Sequence, residues 1–168
     1  MRQIVAVRRT IYRLFEAVAI TFFLIMLMSS LVQVFCRYVL NEPLMWTEEL
    51  ARLMAVGTTY FGGVVVLIAR EHIRVDVIET LVGPRTMAVI AIFADVLIAL
   101  FLAALAWGCV LMVSATWTTY TATMDWFRMG YVYGAVAFAV AMMLFIVLLD
   151  IVSRLAQLTT GESAEEPA

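Results

Sequence analysis

Long apolar runs alternate with short polar connections along this chain, and each run is long enough to cross a membrane. A bilayer-spanning helix needs about 20 mostly apolar residues. The first run covers 14–36 and is interrupted by Glu16, Ser29, Ser30 and Gln33. The second covers 50–69, with no charge after Arg52; the third, 87–117, is broken by Asp95; the fourth, 129–152, carries Asp150 near its end. The pattern predicts an all-α integral membrane protein with four transmembrane helices in one membrane domain, residues 1–155. The first run exceeds the roughly 7–15 residues of a signal-peptide core. No small-x-small cleavage site follows it, and Phe35 before Cys36 does not suit a lipoprotein site, so we expect it to stay as a span. Residues 156–168 end in a small, acidic stretch that cannot bury enough apolar surface to fold, and are expected to be a disordered tail.

Composition supports this reading. Of 168 residues, 65% are hydrophobic and 14% charged, with a mean hydropathy of +1.01. A soluble domain carries about 45–50% apolar and about 25% charged residues, so the excess must face lipid. All eleven basic residues are arginines, and their scatter at a net charge of −2 excludes a nucleic-acid partner. Their distribution sets an orientation, because basic residues concentrate on the cytoplasmic side. Arg2, Arg8, Arg9, Arg13, Arg70, Arg74, Arg85 and Arg154 fall on one side, and Arg37, Arg52 and Arg128 on the other. With four spans, both termini are then cytoplasmic, and the connections at 37–52 and 118–128 lie outside. Trp46, Trp117, Tyr120, Trp126, Phe127, Tyr131 and Tyr133 would form an aromatic belt at that outer edge.

The residues able to carry chemistry are few. Cys36 and Cys109 sit in apolar runs, and His72 is the one histidine, so this chain cannot supply bis-histidine haem ligation. A metal site lacks ligands, and no catalytic, cofactor or metal constellation is present, which argues against an enzyme. Between the first two spans, Asn41-Glu42-Pro43 reads as a turn, with Pro43 acceptable at the start of a new helix. Residues 43–52 wind as a short amphipathic interfacial helix that puts Glu48, Glu49 and Arg52 on one face. Glu48 and Arg52 are paired at i,i+4, and Trp46 lies on the apolar side as a membrane-edge anchor. This face is either a solvated helix start or a docking surface for another protein. Arg70, His72 and Asp76 follow the second span as a polar cluster of structural or interface character. Asp95, ten residues beyond Arg85, lies about 15 Å along its helix. It is either interfacial and paired or functional within the membrane. Gly130 and Gly134 stand in GxxxG spacing and suit close helix approach. No internal repeat is visible, which argues against a self-contained inverted-repeat transporter core.

Three pieces, in order and spacing, carry a resemblance. They are Arg37-Tyr38-Val39-Leu40-Asn41-Glu42-Pro43-Leu44-Met45-Trp46-Thr47-Glu48-Glu49-Leu50-Ala51-Arg52, then Phe61-Gly62-Gly63, then His72-Ile73-Arg74-Val75-Asp76. Together they resemble the small (DctQ-type) membrane subunit of tripartite ATP-independent periplasmic (TRAP) transporters, over roughly residues 10–155. One departure is the lack of prolines near the entry to the fourth span, where Thr123-Met124-Asp125-Trp126-Phe127-Arg128 stands instead. The resemblance implies a scaffold subunit in the bacterial inner membrane. Its implied partners are a large multi-span membrane subunit and a periplasmic solute-binding protein. The complex would import an organic acid or related small solute by symport on a sodium gradient, with sodium and substrate held by the large subunit and no cofactor on this chain. Alternatives from other classes are a self-sufficient four-helix exporter, an anchor subunit of an electron-transfer enzyme, and the small subunit of a tripartite tricarboxylate-type carrier.

Overall fold

A computed structural model describes the backbone of residues 2–69 and 84–160, and the side chains of 9–69 and 90–155. Helix α1 covers Arg2–Phe35, α2 Met45–Ala69, α3 Pro84–Thr116 and α4 Met129–Thr160. All four are long and apolar enough to cross a membrane. The spans expected at 14–36, 50–69, 87–117 and 129–152 each fall on one of them.

Two expectations are corrected. The segment 43–52 is not a separate interfacial helix: α2 runs unbroken from Met45, so Glu48, Glu49 and Arg52 form its first turns. Nothing between Arg52 and Leu53 breaks the helix, because Gly and Pro are absent there and Ala51, Leu53, Met54 and Ala55 all favour it. At 25 residues, α2 is about 37 Å long, enough to span and still project its charged start. The tail expected to be disordered from 156 is helical through Thr160, since Leu155-Ala156-Gln157-Leu158 extends the helix-forming run.

The turn between α1 and α2 follows from local chemistry. Residues Cys36–Leu40 widen α1 into one π-helical turn. Asn41 then adopts the left-handed conformation (φ 55°), which Asn tolerates better than most residues. The Asn41 and Glu42 N–H groups both donate to the Cys36 carbonyl, the latter at 3.1 Å, satisfying the helix end. Leu44 starts the return, and its carbonyl accepts the buried Thr47 hydroxyl at 2.7 Å.

The helices pack in the order α1–α2–α4–α3, and α1 and α3 do not approach one another among the described residues. The result is an open layer of two hairpins joined where α2 meets α4. Its core is narrow. Val64, Ala139, Val140 and Val147 are essentially inaccessible, Phe15 stacks on Phe61 at 5.7 Å, and Phe22 meets Phe61 edge-on at 5.4 Å. Between helices already in lipid the hydrophobic effect supplies little drive, so such close contacts carry the specificity.

Candidate functional site

The polar side chains gather at the end of the layer that carries the α1–α2 and α3–α4 connections. There, Glu48 on α2 is the hub of a small network. Its carboxylate accepts the Arg52 guanidinium at 3.4 Å one turn on, and the Gln33 side-chain amide of α1 at 3.2 Å. It also pairs with Arg37 of the π-helical turn at 3.8 Å. All of these ion-paired groups are half or more exposed, so each pair contributes at most about 1 kcal/mol. Arg37 and Arg52 share the Glu48 carboxylate, and Arg52 also lies near enough to Glu49 to help lower its pKa, after the Thr123 hydroxyl and the loop amides.

Glu49, the next residue, points elsewhere. Its carboxylate accepts the backbone N–H groups of Ala122 at 2.9 Å and Thr123 at 2.8 Å, and the Thr123 hydroxyl as well. The start of α2 thereby clamps the middle of the α3–α4 connection. That connection is well structured without the prolines the resemblance would place nearby. Thr121 N–H donates to Phe127 O and Met129 N–H to Thr119 O, both at 3.0 Å, around an antiparallel bridge between Tyr120 and Arg128. The Arg128 guanidinium lies 5.6 Å above the Tyr120 ring, and buried Thr121 donates its hydroxyl to Met124 O at 2.7 Å. Trp117, Phe127 and Tyr131 stack beneath in edge or tilted contacts. Trp126 stands out at the tip, 78% exposed.

The two glycines of the GxxxG pair have different roles. A Cβ on Gly130 would lie 3.0 Å from the Trp117 ring and 3.1 Å from its Cα, so this glycine permits α3 and α4 to close at the connection. A Cβ on Gly134 would meet nothing within 4 Å. Gly134 lines an apolar groove of about 500 Å³ between α3 and α4, with Val110, Val113, Ser114, Trp117 and Ala137.

Asp95 lies far from this cluster, about 31 Å along α3 from its last residue at 1.5 Å per residue. It is 3% exposed, and the Arg154 Nε of α4 sits 3.1 Å from its Oδ2. That distance makes an ion pair, although Oδ2 accepts no well-aligned hydrogen bond. Asp95 is therefore paired with a cation of the neighbouring helix. Arg70, His72 and Asp76 lie outside the described residues. Among the described residues, no three His, Cys, Asp or Glu side chains converge as a metal site would need.

Sequence reasoning paired Glu48 with Arg52, as the structure does, but grouped Glu49 with them and did not bring Arg37 to Glu48. It missed Gln33 and Arg154 as partners, and it missed the loop amides of Ala122 and Thr123. Gln33 had a usable signal, being a polar residue in the last turns of an apolar run. Arg154 had one too, since a buried acid on α3 requires a cation at matching depth.

No curated protein matches the chain. The family model for the DctQ component of tripartite ATP-independent periplasmic transporters matches residues 26–157, which takes in the polar cluster, the clamped loop and nearly all of α2, α3 and α4. The chain belongs to that family, as the small, multi-pass membrane component of a TRAP transporter.

Proposed function

We propose that this chain is the scaffold subunit of a sodium-coupled, binding-protein-dependent importer of an organic acid or related small solute in the bacterial inner membrane. It pairs with the large transport subunit, which holds substrate and sodium, and it helps to dock the periplasmic binding protein. Both termini are cytoplasmic on this reading, which rests on the arginine distribution. The observation that carries the docking role is the Glu49 clamp. It holds a polar, aromatic connection, tipped by exposed Trp126 and Asp125, rigidly against the start of α2. A flexible loop would lose entropy on binding, whereas a clamped one has already lost it.

Reconstitution tests both halves. Sodium-driven uptake should require this chain, the large subunit and the binding protein together; solute uptake into liposomes holding this chain by itself would overturn the proposal. Trp126→Ala and Asp125→Arg should raise the binding-protein concentration needed for half-maximal uptake several-fold while leaving assembly with the large subunit intact. Unchanged dependence on binding protein for both variants would remove the docking role.

A further inference from the structure

Helix α3 carries one polar group at a depth where lipid cannot satisfy it. Trp107 is 70% exposed, so its indole stands out from α3 into the space around the layer. Two marks on the same helix fix its depth. Trp117, stacked on Tyr131 at the loop end, lies ten residues beyond it, and Asp95, paired with Arg154, lies twelve residues before it. At 1.5 Å per residue these separations are about 15 Å and about 18 Å, against a hydrocarbon core about 30 Å thick. Trp107 therefore sits near the middle of the span.

Tryptophan suits the membrane edge, where its ring meets hydrocarbon and its N–H meets water. At mid-depth there is no water, and acyl chains offer no acceptor. The exposed aromatics elsewhere at that depth are phenylalanines, Phe23 on α1, Phe101 on α3, and Phe138 and Phe145 on α4, which carry no polar atom. The Trp107 N–H donates to no group among the described residues, and an uncompensated donor in an apolar medium is unfavourable. The surface around the ring is flat. Ala103 and Ala104 are exposed one turn before it, and a Cβ on Gly108 would meet nothing within 4 Å. One turn on, Val110 and Ser114 open the apolar groove of about 500 Å³ whose far wall is Gly134 and Ala137 of α4. At 100° per residue, Trp107, Val110 and Ser114 fall within 60° of one another, so the projecting ring and the groove lie on one side of α3. The Ser114 hydroxyl is already used, donating to Leu111 O at 2.8 Å.

We infer that the Trp107 side of α3 seats a transmembrane helix of the large subunit, which brings a side-chain acceptor (a hydroxyl or amide oxygen) to the indole N–H and a ridge of side chains to the groove. Hydrogen bonds between side chains of neighbouring helices are a recognised means of association within the bilayer. Lipid lacks the acceptor, and a periplasmic binding protein cannot reach this depth. A second copy does not fit either. Indole is a donor only, so two copies meeting about a twofold axis at Trp107 set donor against donor. Helix α3 also carries no side-chain oxygen between Asp95 and Ser114 to serve in its place. As an outer member of the layer, packed on α4 and clear of α1 among the described residues, α3 can receive a helix without displacing any part of this chain. This inference rests on the reading that a large membrane subunit is the partner.

The test is co-purification of the full chain with the large subunit of its own transporter, expressed together. Because the Trp107 ring stands clear of this chain, Trp107→Phe and Trp107→Ala should keep wild-type thermal stability in detergent when the chain is purified by itself. Recovery of the large subunit should fall at least tenfold with Trp107→Ala. It should fall several-fold with Trp107→Phe, which keeps an aromatic ring and loses the donor. Phe23→Ala, on the exposed side of α1, should leave recovery unchanged. A nitroxide at position 104, one turn from Trp107, should be open to lipid-soluble oxygen in the chain by itself and shielded in the complex. Wild-type recovery for either Trp107 variant, or a position 104 still open in the complex, would overturn the inference while the pairing stood. Shielding of position 104 without the large subunit, at twice the mass of one chain, would assign this side of α3 to a second copy and overturn the inference too. Failure of the wild-type chain to recover any large subunit would overturn the pairing itself, and the inference with it.

Discussion

Replacing Glu49 by alanine should release the α3–α4 connection without unfolding the helices. Three donors converge on this carboxylate: the amides of Ala122 and Thr123 at 2.9 and 2.8 Å, and the Thr123 hydroxyl. A hydrogen bond to a charged group contributes about 1.5–3 kcal/mol net when buried. Here the acceptor is partly exposed and water can replace it, so the three together contribute about 1–2 kcal/mol rather than their sum. That energy gates local opening of residues 118–127, and not the helix core, whose Phe15, Phe22 and Phe61 contacts do not involve the loop. The assay is amide hydrogen exchange in nanodiscs. Exchange over residues 118–127 should quicken about 5- to 30-fold in Glu49→Ala, as 1–2 kcal/mol requires. Exchange in α2 and α4 should stay as in the wild type. Glu49→Gln, which keeps one acceptor but turns a donor toward the loop amides, should fall between. Equal exchange in Glu49→Ala and wild type would show that the loop's own bridge suffices and that the clamp does nothing.

Other outcomes follow from single contacts. Arg154→Ala should lower stability in detergent by about 2–3 kcal/mol, below the usual range for a buried pair because Arg154 is itself half-exposed, and Asp95→Leu with Arg154→Leu should recover most of it in a double-mutant cycle. Gly130→Ala should cost about 1–3 kcal/mol, because the backbone at Trp117 must move, whereas Gly134→Ala should be neutral or stabilising; thermal unfolding of the two variants reads the contrast. Asn41→Gly should be tolerated and Asn41→Val should destabilise the α1–α2 turn, measurable as protease sensitivity at 38–44. Cysteines placed at Thr160 and Ala122 should be labelled from opposite sides of the membrane, and labelling of both from one side would refute the proposed topology.

The four helices were legible because span length is set by bilayer thickness, and the runs 14–36 and 129–152 announce themselves by hydropathy. The start of α2 was harder. Amphipathicity over 43–52 is compatible with a helix lying flat or with the projecting first turns of a span, and periodicity does not separate them. Glu48 and Glu49 show the same limit at the site. They are adjacent, hence 100° apart on the helix, and a sequence reading treats both as one charged face. In three dimensions that angle sends one to Gln33, Arg37 and Arg52 and the other to the amides of Ala122 and Thr123, more than seventy residues away. Backbone donors leave no trace in side-chain identity, so nothing in Thr121-Ala122-Thr123 announces a carboxylate partner. Asp95 sat between, since its depth marked it as a residue requiring a cation while several arginines were available to serve.

An open layer makes physical sense only for a chain that is one component of something larger. A closed four-helix bundle satisfies its own polar groups and presents lipid with bulky apolar side chains on every helix. Here α1 and α3 do not meet among the described residues, and past its first two residues α2 exposes one large hydrophobic side chain, Val66. The rigidity that such a layer lacks in breadth is supplied at its two ends. At one end Asp95 and Arg154 tie α3 to α4, and at the other Glu49 ties α2 to the connection between α3 and α4. The second tie joins the two hairpins through polar contacts; along their length they meet through α2 and α4 side chains such as Val64, Val140 and Met143. A subunit held this way can keep its hairpins in register while a partner packs against the side, which is the mechanical requirement of a scaffold.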